Sequence, residues 1–192
     1  MSKIAIIYFS GYGHTVKLAE AVHAGAASVG EATLYRIDQD GNLPDDAWEA
    51  IAAADAIIYG SPTYMGGPAW QFKKFADASS KPWFAQAWKD KIAAGFTNSA
   101  SVNGDKYATI QYFWTLSQQH GQVWVGTGLL PSNTKARSAG HQLDRRFGRR
   151  AGDLAFRCLA GRSTAQRRPG NRQAARQARG RIGRQAQGLS RM

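Results

Sequence analysis

Apolar runs alternate with stretches of helical periodicity along the first 126 residues of the chain. Continuous, largely apolar runs are typical of strands that are covered on both faces, as the strands of a parallel sheet are. Such runs predict strands at Lys3–Phe9, Glu31–Ile37, Ala56–Gly60, Lys91–Asn98 and Gln122–Gly126.

The segments between these strands have the spacing of helices. They predict helices at Thr15–Ala27, Asp45–Ala54, Pro68–Ser79 and Asp105–Gly121. Strands that alternate with helices indicate a parallel sheet with right-handed crossovers, which is the doubly wound α/β class. Ligands of such sheets bind beyond the carboxyl ends of the strands, where the strand order reverses. The loops after the first, third and fourth strands are therefore the candidate binding loops.

The loop after the first strand, residues 10–15, reads Ser-Gly-Tyr-Gly-His-Thr. Its glycines allow a tight turn with inward N–H groups, and Ser10 and Thr15 add hydroxyls beside a helix N-terminus. Such a loop can bind an anion without a Lys or Arg side chain. It matches neither the G-x-G-x-x-G pattern nor a P-loop, so a Rossmann or P-loop site is not indicated. The alternative interpretation is a glycine-rich turn that only caps the helix.

The other two candidate loops are suited to a flat ligand. Residues 60–68 read Gly-Ser-Pro-Thr-Tyr-Met-Gly-Gly-Pro, in which Pro62 is rigid, Thr63 offers a hydroxyl and Tyr64 can lie against a planar ring. Residues 97–104 read Thr-Asn-Ser-Ala-Ser-Val-Asn-Gly, a small polar stretch suited to the edge of a heterocycle. Each stretch alone is equally compatible with an ordinary surface loop. Three of them at the expected places indicate one binding site.

The same stretches, S-G-Y-G-H-T, G-S-P-T-Y-M-G-G and G-F-T-N-S-A-S-V-N-G, resemble the flavin mononucleotide (FMN) loops of the WrbA-type family. That family comprises flavodoxin-like NAD(P)H:quinone oxidoreductases, also called tryptophan-repressor-binding proteins. The resemblance covers residues 1–136 and implies a flavodoxin-like fold with a doubly wound, parallel five-stranded sheet in the order 2-1-3-4-5. FMN is the implied cofactor, NADH or NADPH is the implied co-substrate, and no metal is expected.

The resemblance also assigns cofactor-binding residues. The FMN phosphate would be held by Ser10, Gly11, Tyr12, Gly13, His14 and Thr15. The isoalloxazine would be bordered by Pro62, Thr63 and Tyr64. The ring edge and the ribityl chain would contact Asn98, Ser99, Ala100, Ser101, Val102 and Asn103. This third loop lacks the family's usual run of glycines.

Two further residues match family positions outside these loops. His120 matches a family histidine that reaches the flavin, which implies a catalytic or cofactor-binding role. Trp83 matches a family tryptophan near the nicotinamide site, where Tyr12 is also expected. The residues themselves leave another interpretation of His120 open, because a histidine before a glycine at a helix end often caps the last carbonyl groups.

Composition changes abruptly after the candidate sheet. Residues 1–136 contain eleven Asp and Glu, nine Lys and one Arg, whereas residues 137–192 contain fifteen Arg, no Lys and two acidic residues. The predicted organisation is a flavodoxin-like FMN-binding domain at 1–137 and a poorly ordered Arg-rich tail at 138–192. The tail is either a polybasic segment that binds nucleic acid or the product of a shifted reading frame in a GC-rich gene, and the bias to Arg without Lys favours the second.

These observations predict an FMN-dependent oxidoreductase that transfers hydride from NAD(P)H to a small-molecule quinone. One alternative is a flavodoxin-type electron-transfer protein, although the net charge of −1 over residues 1–136 lacks the acidic field such carriers use for docking. Another is unspecific binding of nucleic acid through the basic tail. The family implies a homo-oligomer, a dimer or a tetramer. The single cysteine, Cys158, and the lack of a long apolar run predict a cytoplasmic protein with no membrane partner.

Overall fold

Parallel strands form the centre of the fold, and the computed structural model describes residues 1–101 and 104–126. The parallel strands are β1 (Lys3–Tyr8), β2 (Glu31–Arg36), β3 (Ala56–Tyr64), β5 (Ile92–Asn98) and β6 (Val123–Trp124). They lie in the order β2-β1-β3-β5-β6, and a short strand, β4 (Gly67–Pro68), pairs antiparallel with the end of β3. The parallel strands therefore have the predicted order 2-1-3-4-5.

Helices cover both faces of this sheet. They are α1 (His14–Ala27), α2 (Ala47–Ala53), α3 (Trp70–Ala78), α4 (Ser80–Phe84) and α5 (Lys106–Gln119). Helix α1 packs on one face, and α2, α3 and α5 contribute to the core on the other. This distribution is the predicted doubly wound arrangement.

Alternate residues of β1 belong to two separate cores. Ile4 and Ile6 pack with Val22 of α1 on one face. Ile7 packs on the other face, in the cluster that contains Phe72 of α3. All five side chains are at most 2 % exposed. Each contributes about 1.5–3 kcal/mol through burial, and the need to cover both faces explains why the strands are unbroken apolar runs.

Strand β3 continues beyond its predicted end at Gly60 and ends at Tyr64. Its last residues pair in parallel with the end of β5. Pro62 lies in this extension, although it has no N–H to donate to a neighbouring strand. Met65 and Gly66 then turn the chain at φ values of 47° and 80° into β4. The second candidate loop is therefore a short hairpin.

Two further elements differ from the prediction. Helix α4 follows α3 directly and was not predicted, and β6 is limited to Val123–Trp124 instead of Gln122–Gly126. Within residues 1–101 and 104–126, no helix combines the length and the apolar character that crossing a bilayer requires. The predicted domain boundary after residue 137 and the predicted tail at 138–192 lie outside the described residues.

Gly95 in β5 leaves room for a side chain of α5 and a side chain of β6 to pack against the strand. A Cβ at this position would lie 2.7 Å from Phe113 Cδ2 and 2.9 Å from Trp124 Cη2. We expect Gly95→Ala to lower the free energy of unfolding by about 1–3 kcal/mol, because ring atoms of packed side chains must shift. Gly67→Ala is the matched control, since its Cβ would meet no atom within 4 Å. Urea denaturation measures the difference, and equal midpoints for the two variants would contradict this packing.

Candidate functional site

The three candidate loops meet at the carboxyl edge of the sheet, because β1, β3 and β5 are parallel neighbours. Thr15 Oγ1 donates a hydrogen bond of 2.8 Å to Asn98 Oδ1, which joins the start of α1 to the end of β5. The rings of Tyr12 and Tyr64 lie edge to face with centroids 6.0 Å apart, which joins the first loop to the second. The loops selected from the sequence therefore lie in contact with one another at one edge of the sheet.

The first loop presents backbone N–H groups at the N-terminus of α1. Gly13 precedes the helix with a φ of 88°, a left-handed conformation that few residues other than glycine adopt. Ser10 Oγ accepts a hydrogen bond of 3.2 Å from the Gly13 N–H, which holds the turn. The N–H groups of His14, Thr15 and Val16 have no acceptor within the helix, as in the first turn of any helix. Together they form a cradle of donors with partial positive charge.

A positive side chain lies beside this cradle. Arg36, at the end of β2, places Nη2 3.5 Å from the carbonyl oxygen of Ser10. The sequence did not indicate this contact, because strand order alone does not show that the Arg36 side chain reaches a residue 26 positions earlier. The sequence predicted that this loop can bind an anion without a Lys or Arg side chain, and the structure places a guanidinium beside it.

Tyr64 extends from the second loop over the first. Its Oη lies 2.6 Å from the position that a Cβ at Gly11 would occupy, so the tyrosine fits there only because residue 11 is glycine. Tyr64 is 36 % exposed and Tyr12 is 83 % exposed, which leaves both rings accessible at the mouth of the site. Burial raises the pKa of Tyr64, and repulsion from Tyr12 raises it further. The phenol of Tyr64 is therefore neutral at physiological pH.

The hydroxyl of Thr63 bonds within the protein rather than standing free for a ligand. Thr63 Oγ1 lies 2.9 Å from Thr97 Oγ1 of β5 and 2.8 Å from Thr109 Oγ1 of α5. Thr97 Oγ1 also donates to the carbonyl oxygen of Ser61 at 2.7 Å. The sequence placed Thr97 in the third loop and indicated no role for Thr109, because only folding brings either residue to Thr63. The three hydroxyls tie the second loop to β5 and α5.

A lysine holds the third loop. Lys106 Nζ, at the start of α5, donates to Ser99 Oγ at 2.8 Å and to the carbonyl oxygen of Ser101 at 3.0 Å. Ser99 Oγ donates to the same carbonyl oxygen at 2.7 Å. Val102 and Asn103, which the resemblance also assigns to this loop, lie outside the described residues. The loop is polar, as expected, and has in addition a positive charge that its small residues did not indicate.

His120 lies at the opposite, amino edge of the sheet, away from the three loops of this chain. It follows α5, which begins beside the third loop and has 14 residues, a length of about 21 Å. The carbonyl oxygen of the next residue, Gly121, accepts a hydrogen bond from the N–H of Asp90, just before β5 begins. The helix therefore carries His120 from one edge of the sheet to the other.

At this edge His120 is a neutral core histidine. Ser79 Oγ donates to the carbonyl oxygen of Ala76 at 2.6 Å, so its proton is already used. His120 Nε2, 2.9 Å from Ser79 Oγ, is therefore the donor in that pair. The imidazole also packs on Trp88 with centroids 4.3 Å apart, and the residue is 6 % exposed. Burial lowers the pKa of His120 to about 4, so the ring is uncharged at neutral pH.

Trp83 also lies away from the three loops of this chain. It belongs to α4, between the end of α3 and the start of β5, and is 49 % exposed. Helix α3 starts beside the β3–β4 hairpin and runs back along the sheet, so residues that follow it reach the amino edge. Of the two residues assigned to the nicotinamide, only Tyr12 lies at the mouth of the site.

The side chains and backbone at the carboxyl edge fit FMN. The donors at the N-terminus of α1, with Arg36 beside them, suit a phosphate dianion. A larger residue at position 11 would collide with Tyr64, and Gly13 adopts the left-handed backbone of the turn before α1. Tyr12 and Tyr64 present aromatic surfaces to a flat ring, and the third loop supplies polar groups for the ring edge.

Comparisons with known proteins point to the same cofactor. A family profile described as NADPH-dependent FMN reductase matches residues 3–135. Flavodoxin FldP of Pseudomonas aeruginosa is 52% identical over 138 residues, which are 72% of this chain and 73% of that protein. An NAD(P)H dehydrogenase (quinone) of Trichlorobacter lovleyi is 33% identical over 146 residues, 66% of this chain and 72% of that protein.

A solved structure confirms the flavodoxin-like fold. It is a flavodoxin, WrbA-like protein from Agrobacterium tumefaciens, which superposes with a TM-score of 0.68 at 52% sequence identity. The match covers 82% of this chain and 99% of that protein. The flavodoxin-like α/β fold predicted from the loops is therefore correct.

Gly13→Asp tests the anion cradle, with Gly13→Asn as its matched control. The two side chains have the same size, both tolerate a left-handed backbone, and a Cβ at Gly13 would meet no atom within 4 Å. A carboxylate beside a phosphate costs about 1–4 kcal/mol at 4 Å separation. We expect FMN affinity to fall at least about tenfold further in the Asp variant than in the Asn variant. Fluorescence titration of apoprotein with FMN measures it, and equal affinities would contradict the cradle.

The buried imidazole predicts a loss of stability in acid. The pKa of His120 is lowered from 6.5 to about 4 in the folded chain, so the unfolded chain takes up the proton first as the pH falls below 6.5. The stabilisation is complete above pH 6.5 and is lost towards pH 4. We expect wild type to lose on the order of 3 kcal/mol more than His120→Gln between pH 7 and pH 4. Urea denaturation at both pH values measures the free energy of unfolding of the two proteins. Equal decreases in wild type and His120→Gln would contradict a neutral buried His120.

Proposed function

Because the chain belongs to the NADPH-dependent FMN reductase family, we propose that it is an FMN-dependent oxidoreductase with NAD(P)H as reductant and a quinone as acceptor. The convergence of the three loops carries the proposal, since it brings a phosphate cradle, aromatic surfaces and a polar ring edge to one place. The relative named NAD(P)H dehydrogenase (quinone) supports the choice of the two substrates.

Bound FMN would supply the capacity to accept and to donate hydride. The chain's own residues would bind it and limit its contact with water. The N–H groups at the start of α1 and the guanidinium of Arg36 would hold the phosphate. The rings of Tyr12 and Tyr64 would shield the mouth and offer a flat surface to a second planar molecule. Because His120 of this chain lies at the amino edge, the residues of the three loops would contribute by binding and orienting the flavin.

A flavodoxin-type electron carrier is the second candidate, because the relative at 52% identity is named a flavodoxin. Surface charge distinguishes the two candidates. Carriers dock on basic partners through a strongly acidic surface, whereas residues 1–136 contain eleven acidic and ten basic side chains. Two of these ten basic side chains, Arg36 and Lys106, lie at the carboxyl edge itself. This charge distribution favours reaction with a small molecule over docking of a basic protein.

Turnover with FMN-loaded protein separates the candidates. We expect continuous oxidation of NADH or NADPH when 1,4-benzoquinone is present. The decrease in nucleotide absorbance measures this oxidation, with FMN at a limiting concentration. Gly13→Asp should lose this activity, while Gly13→Asn should keep more of it, because only the Asp variant repels the phosphate. Protein that binds FMN but does not oxidise either nucleotide would be a carrier instead. Protein that binds no FMN would contradict both functions.

A further inference from the structure

We propose that Thr97 and Thr109 are positioning residues for the loop of Tyr64, acting through a chain of hydroxyl hydrogen bonds that runs in one direction. The inference rests on the proposed flavin site, because that loop is one of the three that form it. Neither residue belongs to the loop: Thr97 lies in β5 and Thr109 lies in α5. Both contact the side chain of Thr63, and Thr97 also donates to the carbonyl oxygen of Ser61 at the base of the loop.

The direction of the chain follows from counting protons. A carbonyl oxygen can only accept, so Thr97 Oγ1 gives its single proton to the carbonyl oxygen of Ser61 at 2.7 Å. Thr63 Oγ1, at 2.9 Å, must therefore donate to Thr97 Oγ1. Thr63 then has no proton left, so Thr109 Oγ1 donates to it at 2.8 Å. The order is Thr109 to Thr63 to Thr97 to the β3 backbone.

The hairpin that carries Tyr64 needs this support. It pairs through only two residues on each side, Thr63 with Pro68 and Tyr64 with Gly67. Met65 at its turn has a φ of 47°, which is unfavourable for a residue with a Cβ. Two-stranded hairpins are marginally stable on their own in water. The loop therefore depends on contacts to the rest of the fold.

The hydroxyl chain supplies those contacts from two different elements. Thr109 is fully buried in α5, and Ser61 is fully buried at the base of the hairpin. On the other side of the loop, Ser61 Oγ accepts a hydrogen bond of 3.0 Å from the N–H of Ala69. Tyr64 follows Thr63 directly, so fixing the side chain of Thr63 fixes the point from which Tyr64 extends over Gly11. The chain therefore connects the core of α5 to the mouth of the site.

The direction of these hydrogen bonds limits what the Thr63 hydroxyl can offer to a ligand. Thr63 has given its proton to Thr97, so it can accept a hydrogen bond from a ligand but cannot donate one. Its hydroxyl would therefore act towards a ligand as an acceptor.

Thr109→Val removes the first donor of the chain and keeps the shape of the side chain. Thr115→Val is the matched control, because Thr115 lies in the same helix and its hydroxyl bonds the carbonyl oxygen of Gln111 at 3.0 Å, away from the hairpin. We expect the dissociation constant for FMN to rise about tenfold in Thr109→Val, the effect of one net hydrogen bond, and less than about twofold in Thr115→Val. Thr109→Ser, which keeps the hydroxyl, should restore most of the affinity.

Two readouts separate positioning from a general loss of stability. The visible circular dichroism of bound FMN reports the surroundings of the ring, and we expect Thr109→Val to change it while Thr115→Val leaves it as in wild type. In a Thr63→Val background, Thr109→Val should have little further effect on FMN affinity, because the middle link is already missing. The thermal midpoints of the apoproteins show whether each variant is folded. If Thr109→Val does not fold, Thr63→Val and Thr63→Ser provide the same comparison at the middle of the chain.

The outcomes distinguish this proposal from the proposed function. Wild-type protein that binds FMN, together with equal affinities for Thr109→Val and Thr115→Val, would overturn the positioning role and leave the flavin site intact. Additive effects of Thr63→Val and Thr109→Val would also overturn it, since two independent contacts add. Wild-type protein that binds no FMN would contradict both proposals.

Discussion

The parallel pairing of β1, β3 and β5 is the constraint on which the site depends. The registers place Tyr8 opposite Gly60 and Gly60 opposite Phe96, so the three strands end at the same edge and their loops start side by side. A slip of one residue would turn every side chain of a strand to the wrong face. The burial that separates the two cores therefore also determines where the three loops begin, and the position of the site follows from the packing of the sheet.

Contacts made by the three loops then stabilise the arrangement that the sheet imposes on them. Thr15 binds Asn98, Tyr64 lies over Gly11, and Lys106 closes the third loop on itself. A single hydrogen bond of this kind is worth only about 1 kcal/mol. Because each contact joins a different pair of elements, the loss of one leaves the others in place. Such a site can be polar and open to solvent and still keep its shape.

The sequence predicted the parts of the molecule whose chemistry is local. Apolar runs show where strands lie, and glycines with hydroxyls after a strand show an anion loop whatever the rest of the chain does. Arg36 and Thr109 could not be found in this way, since their partners lie 26 and 46 residues away along the chain. The place of His120 in the fold could not be predicted for another reason: a motif match gives its position in the sequence, but the length of α5 decides which edge of the sheet it reaches.

Polar groups are buried at the amino edge of the sheet and accessible at the carboxyl edge. This difference determines which edge can bind a reactive ligand. At the amino edge, His120 is buried and neutral, and Tyr59 donates a hydrogen bond of 2.7 Å to Gln122 inside the core, where burial raises the pKa of the phenol. Groups held in this way resist a change of charge and are closed to ligands. At the carboxyl edge, backbone N–H groups and the cations of Arg36 and Lys106 lie beside accessible aromatic rings. Since such donors stabilise negative charge without exchanging protons, this edge is suited to hold an anionic cofactor that supplies its own reactivity.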